Sequence, residues 1–445
     1  MDEEIDNTEE LIEEINTDID YPEKHGEYLR EFNFESTPIV DTVNEIILDS
    51  INRGASDIHF DPFEDGVKIR IRIDGDLHNY ALVPLSMKKN LITRIKIISN
   101  LNITESRLPQ DGSIKGLIDS VDVDLRVSSL PTSLGEKLVI RILDYSLSTE
   151  GLEHLGFSRE NYELLNKMTK LNNGMILVTG ATGSGKSTTV YAILQKLNTE
   201  ERNIVTVEDP IEMNIHGINQ VLVNSEIGMT FQSALRSILR QDPDVIMIGE
   251  IRDVETAKIA VRASITGHLV LSTLHTNDSL STIERLIDMN VERYLLSSSL
   301  SGIISQKLAR KLCPKCKKLR ATTASEKEVF RKVLKINVNG IYEACGCDEC
   351  SSGYKGRIPI HEVLYLDQSI KDDITNNISK QDLKKKVFNE HTMNSTMLED
   401  GLKKVLQGDT SFDEIIKNLD IDDETLSFYD ITTEETIKEL ETFHI

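Results

Sequence analysis

Between Met175 and Leu197 the chain passes from a short apolar run, Met175-Ile176-Leu177-Val178, through Gly180-Ala181-Thr182-Gly183-Ser184-Gly185-Lys186-Ser187-Thr188, into a helical pattern from Tyr191 to Leu197. The middle stretch matches G-x-x-x-x-G-K-[ST] position by position. Strand, glycine-rich loop and helix in that order turn backbone N–H groups and a helix N-terminus toward phosphate oxygens. Lys186 would then reach the outer phosphates, and the Ser187 hydroxyl would ligate magnesium. A chance glycine-rich turn would lack both flanks. Gly180 to Thr188 are therefore the candidate nucleotide-binding residues, with ATP and Mg2+ as the expected ligands.

The surroundings of the loop alternate between short apolar runs and helical spacing. Strands are expected at Ile204 to Val207, Val221 to Val223, Val245 to Ile248 and Leu269 to Ser272, and helices at Phe231 to Arg240 and Val254 to Ser264. Such alternation predicts an α/β core with a largely parallel sheet, whose ligands lie beyond the carboxyl ends of the strands. The remainder is expected to be helical, with one cysteine-bearing insertion at 311–352. No internal repeat is visible.

Upstream, Thr37-Pro38 reads as a helix start, a hydroxyl cap followed by a first-turn proline. Ile39, Val40, Val43, Ile46, Ile47 and Ile51 form its apolar face, and Arg53-Gly54 ends it. The period then becomes two, with Val67, Ile69, Ile71 and Ile73 alternating with Lys68, Arg70 and Arg72 before an Asp74-Gly75 turn. A helix from Ser86 to Asn100 and strands at 113–118, 121–127 and 137–143 complete an α+β domain over 37–143. Residues 144–157 read as a linker to the core at 158–408.

Charge is unevenly spread. The formal net charge is −24, but residues 1–20 hold ten acids and no Lys or Arg, and residues 409–445 hold twelve acids against Lys417 and Lys438. Segments 1–36 and 409–445 thus read as an acidic N-terminal arm and an acidic C-terminal extension, and the body is left near neutrality. That balance weighs against nucleic-acid binding, which needs a basic stripe. Without a long apolar run or a signal peptide, a cytosolic protein is expected. Phe412, Ile415, Ile416 and Leu419 recur at helical spacing within the extension, either as a docking helix or as a solvated tail.

Three groups beyond the loop bear on chemistry. The apolar run from Val245 to Ile248 leads to Glu250, placed to act beside a magnesium ion. The strand ending at Val207 is followed by Glu208-Asp209-Pro210-Ile211-Glu212, whose carboxylates could hold or polarise an attacking water, or simply cap a loop. His275 follows the strand at Leu269 and could contact a γ-phosphate, whereas His268 precedes that strand and reads as structural. Separately, Cys313-x-x-Cys316 and Cys347-x-x-Cys350 are two pairs with the bite of a tetrahedral ion, so four thiolates would close a structural zinc site. Cys345 is left as a spare thiol or an alternative ligand. The neighbouring Lys315, Lys317, Lys318 and Arg320 could meet an acidic partner.

Taken in order, these stretches resemble the secretion ATPase superfamily, in its type IV pilus assembly and type II secretion branch. The resemblance covers roughly residues 37–410. It rests on Ala55-Ser-Asp-Ile-His-Phe-Asp-Pro62, Asp124-Leu-Arg-Val-Ser-Ser-Leu-Pro-Thr132, the phosphate loop, Glu208 to Glu212, Arg240 to Asp253, and Thr266 to Asp278. It implies a RecA-like P-loop ATPase core with a smaller N-terminal α+β domain and a helical, zinc-bearing C-terminal part, assembled as a homo-hexamer. It also implies Lys186 and Ser187 on phosphate and magnesium, Glu250 on the metal side, and Glu212 ahead of Glu208 as the hydrolytic glutamate. Arg126 and Arg141 would neutralise phosphate charge, though as strand residues they could equally serve an exposed face. Implied partners are an inner-membrane platform protein, with an adaptor as a further candidate, and membrane attachment through them alone. The four-cysteine element favours assembly or secretion over retraction. Members of the assembly type commonly carry a further N-terminal domain; with about 36 residues before the smaller domain, the expectation is either that this domain is missing or that the partner contact has moved.

Overall fold

A computed structural model describes residues 28–32, 37–143, 151–388 and 392–419, together with 421, 426, 428, 429, 442 and 443. The chain divides into two compact units, Met1–Leu143 and Asp144–Ile445.

The first unit begins with helix α1 (Ile39–Asn52), which Gly54 ends in a left-handed conformation, φ 72°. Pro38 itself occupies the cap position and no side chain caps the helix, so Thr37 does not play the expected role. Strands β1 (Ala55–Pro62), β2 (Gly66–Ile73) and β3 (Asp76–Pro84) follow, then α2 (Leu85–Ile98), β4 (Gln110–Ile118), β5 (Val121–Thr132) and β6 (Gly135–Ile142). They form one antiparallel sheet in the order β3-β2-β1-β6-β5-β4. Asp74 and Gly75 both take positive φ, 50° and 98°, as a two-residue hairpin turn matched to strand twist requires. The period of two sorts the side chains. Ile58, Phe60, Val67, Ile69 and Ile71 are fully buried with Val43, Ile46, Ile47, Leu91 and Ile95 of the helices, each worth about 1.5–3 kcal/mol on burial. The other face is charged. Arg72 of β2 is opposite Asp57 of β1, Asp57 opposite Arg141 of β6, and Arg141 opposite Arg126 of β5. Of the N-terminal arm, residues 28–32 run beside β3, where Leu29 and Arg30 donate to the carbonyls of Asn79 and Tyr80; the rest lies outside the described residues.

In the second unit, residues 144–150 of the expected linker are outside the described residues. Its remainder is folded, because Leu152 and Leu155 are buried and Phe157 stacks on His361 at 3.8 Å. Next come α3 (Arg159–Thr169), β7 (Gly174–Thr179), α4 (Lys186–Leu197), β8 (Ile204–Glu208), β9 (Asn219–Leu222), α5 (Phe231–Ile238), β10 (Val245–Ile248), α6 (Val254–Ile265), β11 (Leu269–Leu274), α7 (Ser279–Asp288) and α8 (Arg293–Ser299). The chain beyond is helical in part, but it also supplies two long strands that periodicity did not reveal, β12 (Leu300–Leu312) and later β16 (Tyr354–Tyr365). The sheet order is β16-β12-β7-β11-β10-β8-β9, with only the β12–β16 pair antiparallel. Successive residues of one strand feed opposite layers. Met175 and Leu177 of β7 pack with α5 to α8, whereas Ile176 and Val178 pack with α3 and α4. Burial on both faces is why these strands read as unbroken apolar runs.

Past the parallel sheet, the β12–β16 hairpin carries the insertion: β13 (Lys318–Ala321), α9 (Ala324–Leu334), β14 (Asn337–Val338) and β15 (Gly340–Glu343). After α10 (Gln368–Thr375) and α11 (Lys380–Val387), α12 (Met397–Leu406) and α13 (Phe412–Leu419) return to this end. Phe412 and Ile415, offered above as the face of a docking helix, are buried with Phe330, Leu402 and Val405. That apolar stripe is already covered from within, and Glu414 ties the helix to Arg310 at 2.8 Å.

Candidate nucleotide site and cysteine cluster

The phosphate loop leaves β7 at Thr179 and enters α4 at Lys186. Gly180, Gly183 and Gly185 have φ of 147°, 79° and 87°. A Cβ at Gly180 would stand 2.4 Å from the Gln306 carbonyl oxygen and 2.5 Å from Ser184 Oγ, so the loop needs glycine there for space as well as for conformation. Gln306, buried on β12, donates to the Ser184 carbonyl at 2.7 Å and accepts from Thr189 Oγ1 at 2.9 Å. Thr179 and Ser305 share a hydroxyl hydrogen bond at 2.7 Å. One wall of the loop is thus built by a strand the sequence did not disclose.

Lys186 is buried, and its Nζ donates to the carbonyls of Gly180 and Ala181, each at 2.9 Å. Burial lowers its pKa, with Glu250 acting in the opposite sense. Ala181, Thr182, Gly183 and Ser187 are exposed, leaving the outer side of the loop and the first turn of α4 open. Glu250, beyond β10, pairs with Arg252 at 2.5 Å and lies 3.7 Å from His275 Nε2. Desolvation, followed by the charge of Lys186, holds the His275 pKa below its ordinary value, so the imidazole is neutral at neutral pH. Lys186, Glu250 and His275 therefore share one neighbourhood at the carboxyl ends of β7, β10 and β11, where a doubly wound sheet receives its ligands. His268 instead bonds the Ala263 carbonyl at 2.9 Å, in keeping with a structural part.

The acidic stretch after β8 divides into two roles. Glu208, the second candidate for hydrolysis, is 2% exposed; Oε2 accepts from Tyr191 at 2.5 Å, while Oε1 accepts from Thr206 at 2.6 Å and Gln220 at 3.0 Å. Both Glu208 oxygens are thus occupied by protein donors in a buried setting. Glu212 is half-buried, and its backbone N–H donates to Tyr191 at 3.0 Å. The strand pairing of β8 with β10 puts Val207 opposite Ile248, so the Glu212 loop and Glu250 leave neighbouring strand ends. Tyr191, Gln220, Thr206 and Gln306 were not foreseen. The one available signal was a tyrosine on a buried helical face, since a buried phenol needs a hydrogen-bond partner. Arg126 and Arg141 stand side by side on the charged face of the first unit, Arg141 paired with Asp57 at 3.0 Å.

The two cysteine pairs meet. The sulfurs of Cys313, Cys316, Cys347 and Cys350 all lie within 4.8 Å of one another, with Cys313–Cys347 at 3.9 Å, Cys316–Cys350 at 3.7 Å and Cys347–Cys350 at 3.5 Å. A tetrahedral ion with sulfurs at about 2.3 Å separates neighbouring sulfurs by about 3.8 Å. The cluster thus has the size of a four-thiolate metal site, and exposed Cys345 is not part of it. Leu312 and Tyr354 are paired at the end of the β12–β16 hairpin, which explains how ligands so far apart in sequence converge. Three of the four basic residues nearby are engaged internally, Lys315 with Glu349, Lys317 with the Gly408 carbonyl, and Arg320 with Glu326 and Glu343, while Lys318 is exposed.

Residues 33–417 match the family model described as Type II/IV secretion system protein. The chain belongs to that family. Relatives include the Type II secretion system ATPase E of Vibrio cholerae serotype O1, 45% identical over 384 residues, which are 86% of this chain and 76% of that protein. The Type IV pilus assembly ATPase PilB of Myxococcus xanthus is 42% identical over 416 residues, 92% of this chain and 73% of the relative. Among solved structures, the pilus retraction motor PilT with bound ADP superposes with a TM-score of 0.58 at 28% identity, covering 86% of this chain and 98% of that one. The family is one of secretion and pilus ATPases, and the parallel-sheet core and four-cysteine cluster fit it.

Proposed function

We propose that this chain is an ATP-hydrolysing motor that drives assembly of a pilin-type filament, acting as a homo-hexamer at the cytoplasmic face of the inner membrane. The observation that carries this reading is the gathering of Lys186, Glu250 and His275 around an open phosphate loop. Backbone N–H groups of 180–188 and the α4 N-terminus would bind the phosphates, with Lys186 exchanging its two carbonyl partners for phosphate oxygen. Ser187 and Glu250 would hold magnesium, whose charge offsets that of the phosphates. Glu212 would orient the attacking water and take its proton, and neutral His275 would meet the γ-phosphate. Arg126 and Arg141 would add positive charge, a role that rests on the family resemblance.

The four thiolates would hold zinc with no open position, a folding role rather than a catalytic one. No helix among the described residues is long and apolar enough to cross a membrane, so attachment would run through a platform protein, with an adaptor as a second contact. Type II secretion is the second reading of the same motor, since the Vibrio cholerae secretion ATPase at 45% identity and the Myxococcus xanthus pilus protein at 42% match the chain nearly alike. Pull-down of the inner-membrane partner separates the two. Hydrolysis is tested by turnover: Lys186→Ala should lose nucleotide binding, and Glu212→Gln should bind ATP but hydrolyse it slowly. Normal turnover by Glu212→Gln would remove that residue from the mechanism.

A further inference from the structure

Tyr191 is fully buried on α4, downstream of the phosphate-loop lysine. A phenol has one hydrogen to give and two lone pairs, and all three are used here. It donates to Glu208 Oε2 at 2.5 Å and accepts from Glu212 N at 3.0 Å and Met213 N at 3.4 Å. Gln220 closes the network from the other side, donating to Glu208 Oε1 and to the Met213 carbonyl, each at 3.0 Å, and accepting from Ile215 N at 2.8 Å. The segment between β8 and β9 is therefore fastened at Glu212, Met213 and Ile215 to side chains of the core. Of these anchors, Tyr191 is the one borne by the helix that opens on the phosphate loop.

The direction of each bond matters. Glu208 can only accept from the Tyr191 hydroxyl, so it fixes where the hydrogen points and turns the lone pairs toward the two backbone N–H groups. Burial and the Glu208 carboxylate both push the phenol up, which keeps that hydrogen in place at physiological pH. Phenylalanine at 191 would fill the same space yet leave both N–H groups without this acceptor.

We propose that Tyr191 is a positioning residue for hydrolysis, holding Glu212 in register with the phosphate loop through the Glu208–Tyr191 hydroxyl pair. This rests on the reading of Glu212 as the hydrolytic glutamate. A displacement of about 1 Å at such a group suffices for about a hundredfold loss of rate, so an anchor on α4 bears on turnover without touching nucleotide.

The test compares Tyr191→Phe, Glu212→Gln and the double variant in the full-length chain. ATP turnover, ADP dissociation constant and hydrogen exchange at the Glu212 and Met213 amides are measured. Tyr191→Phe is expected to lower kcat about tenfold or more, keep the ADP dissociation constant within about twofold, speed exchange at those two amides, and add nothing on top of Glu212→Gln. Wild-type turnover by Tyr191→Phe beside an inactive Glu212→Gln would overturn the positioning role and leave the Glu212 reading standing. An active Glu212→Gln would overturn both. Parallel losses of turnover and ADP binding would mark a merely structural residue and also overturn the proposal. Gln220→Leu loosens the same segment from β9 with Tyr191 intact; it should slow turnover with ADP affinity kept, and a wild-type rate there would refute control by this segment.

Discussion

Replacing Gln306 with leucine should weaken the phosphate loop although residue 306 lies on a strand remote in sequence. The substitution keeps side-chain size and removes two buried hydrogen bonds, to the Ser184 carbonyl at 2.7 Å and from the Thr189 hydroxyl at 2.9 Å. Gln306, Ser184 and Thr189 are at most 5% exposed, so water does not readily replace the amide. An orphaned buried partner costs about 1–3 kcal/mol. Thr189 can fall back on the carbonyl one turn earlier in α4, so most of the penalty falls on Ser184 and the expected loss is about 2 kcal/mol. Because the loop must present its N–H groups in one arrangement, a loss of about 1.4 kcal/mol in nucleotide binding, tenfold in affinity, should accompany it. Titration with a fluorescent ADP analogue and chemical denaturation of the same sample give both quantities. An unchanged affinity together with a stability loss below about 0.5 kcal/mol would refute the claim that β12 holds the loop.

Other expectations address the remaining parts of the second unit. Metal analysis should find one zinc per chain, lost in the combined Cys313→Ser and Cys350→Ser variant; no zinc in the parent, or zinc retained in the variant, would exclude the four-thiolate site. Burial pushes the Glu399 carboxyl up to about 7 from an ordinary 4.5 and raises Glu362 as well. The unfolded chain releases these protons first, so stability should fall by up to about 3 kcal/mol as pH rises from about 4.5 to about 7. Glu399→Gln should flatten that dependence in thermal melts. Ile415→Ala, at a fully buried position of α13, should cost about 2–5 kcal/mol; an unchanged melting curve would mean that this face is not packed.

The α/β alternation, the smaller α+β domain and the two cysteine pairs were legible because each is a local pattern. What stayed hidden in β12 and β16 follows from their composition. Ser305, Gln306, His361 and Glu362 are buried polar residues that break an apolar run, and Pro359 and Gly356 argue against a strand unless it lies at an edge, as β16 does. Glu362 is tolerated because it accepts from the backbone and hydroxyl of Ser279 at 2.9 and 2.5 Å, a partner far along the chain. The acidic extension misled for the opposite reason: its helical stripe was real, but an amphipathic stripe does not say whether its cover comes from the same chain.

The sequence alone determined that a glycine-rich loop of the G-x-x-x-x-G-K-[ST] form sits between a buried strand and a helix, because glycine conformation and the spacing to Lys186 are properties of adjacent residues. It also determined that four of the thiols come in two C-x-x-C pairs. Only the tertiary structure decided that Glu208 is consumed by Thr206, Tyr191 and Gln220 while Glu212 is borne on the segment they anchor, and that Gln306 completes the loop. Those assignments depend on which groups lose water and which distant partners replace it, and burial is fixed only when the strands and helices pack.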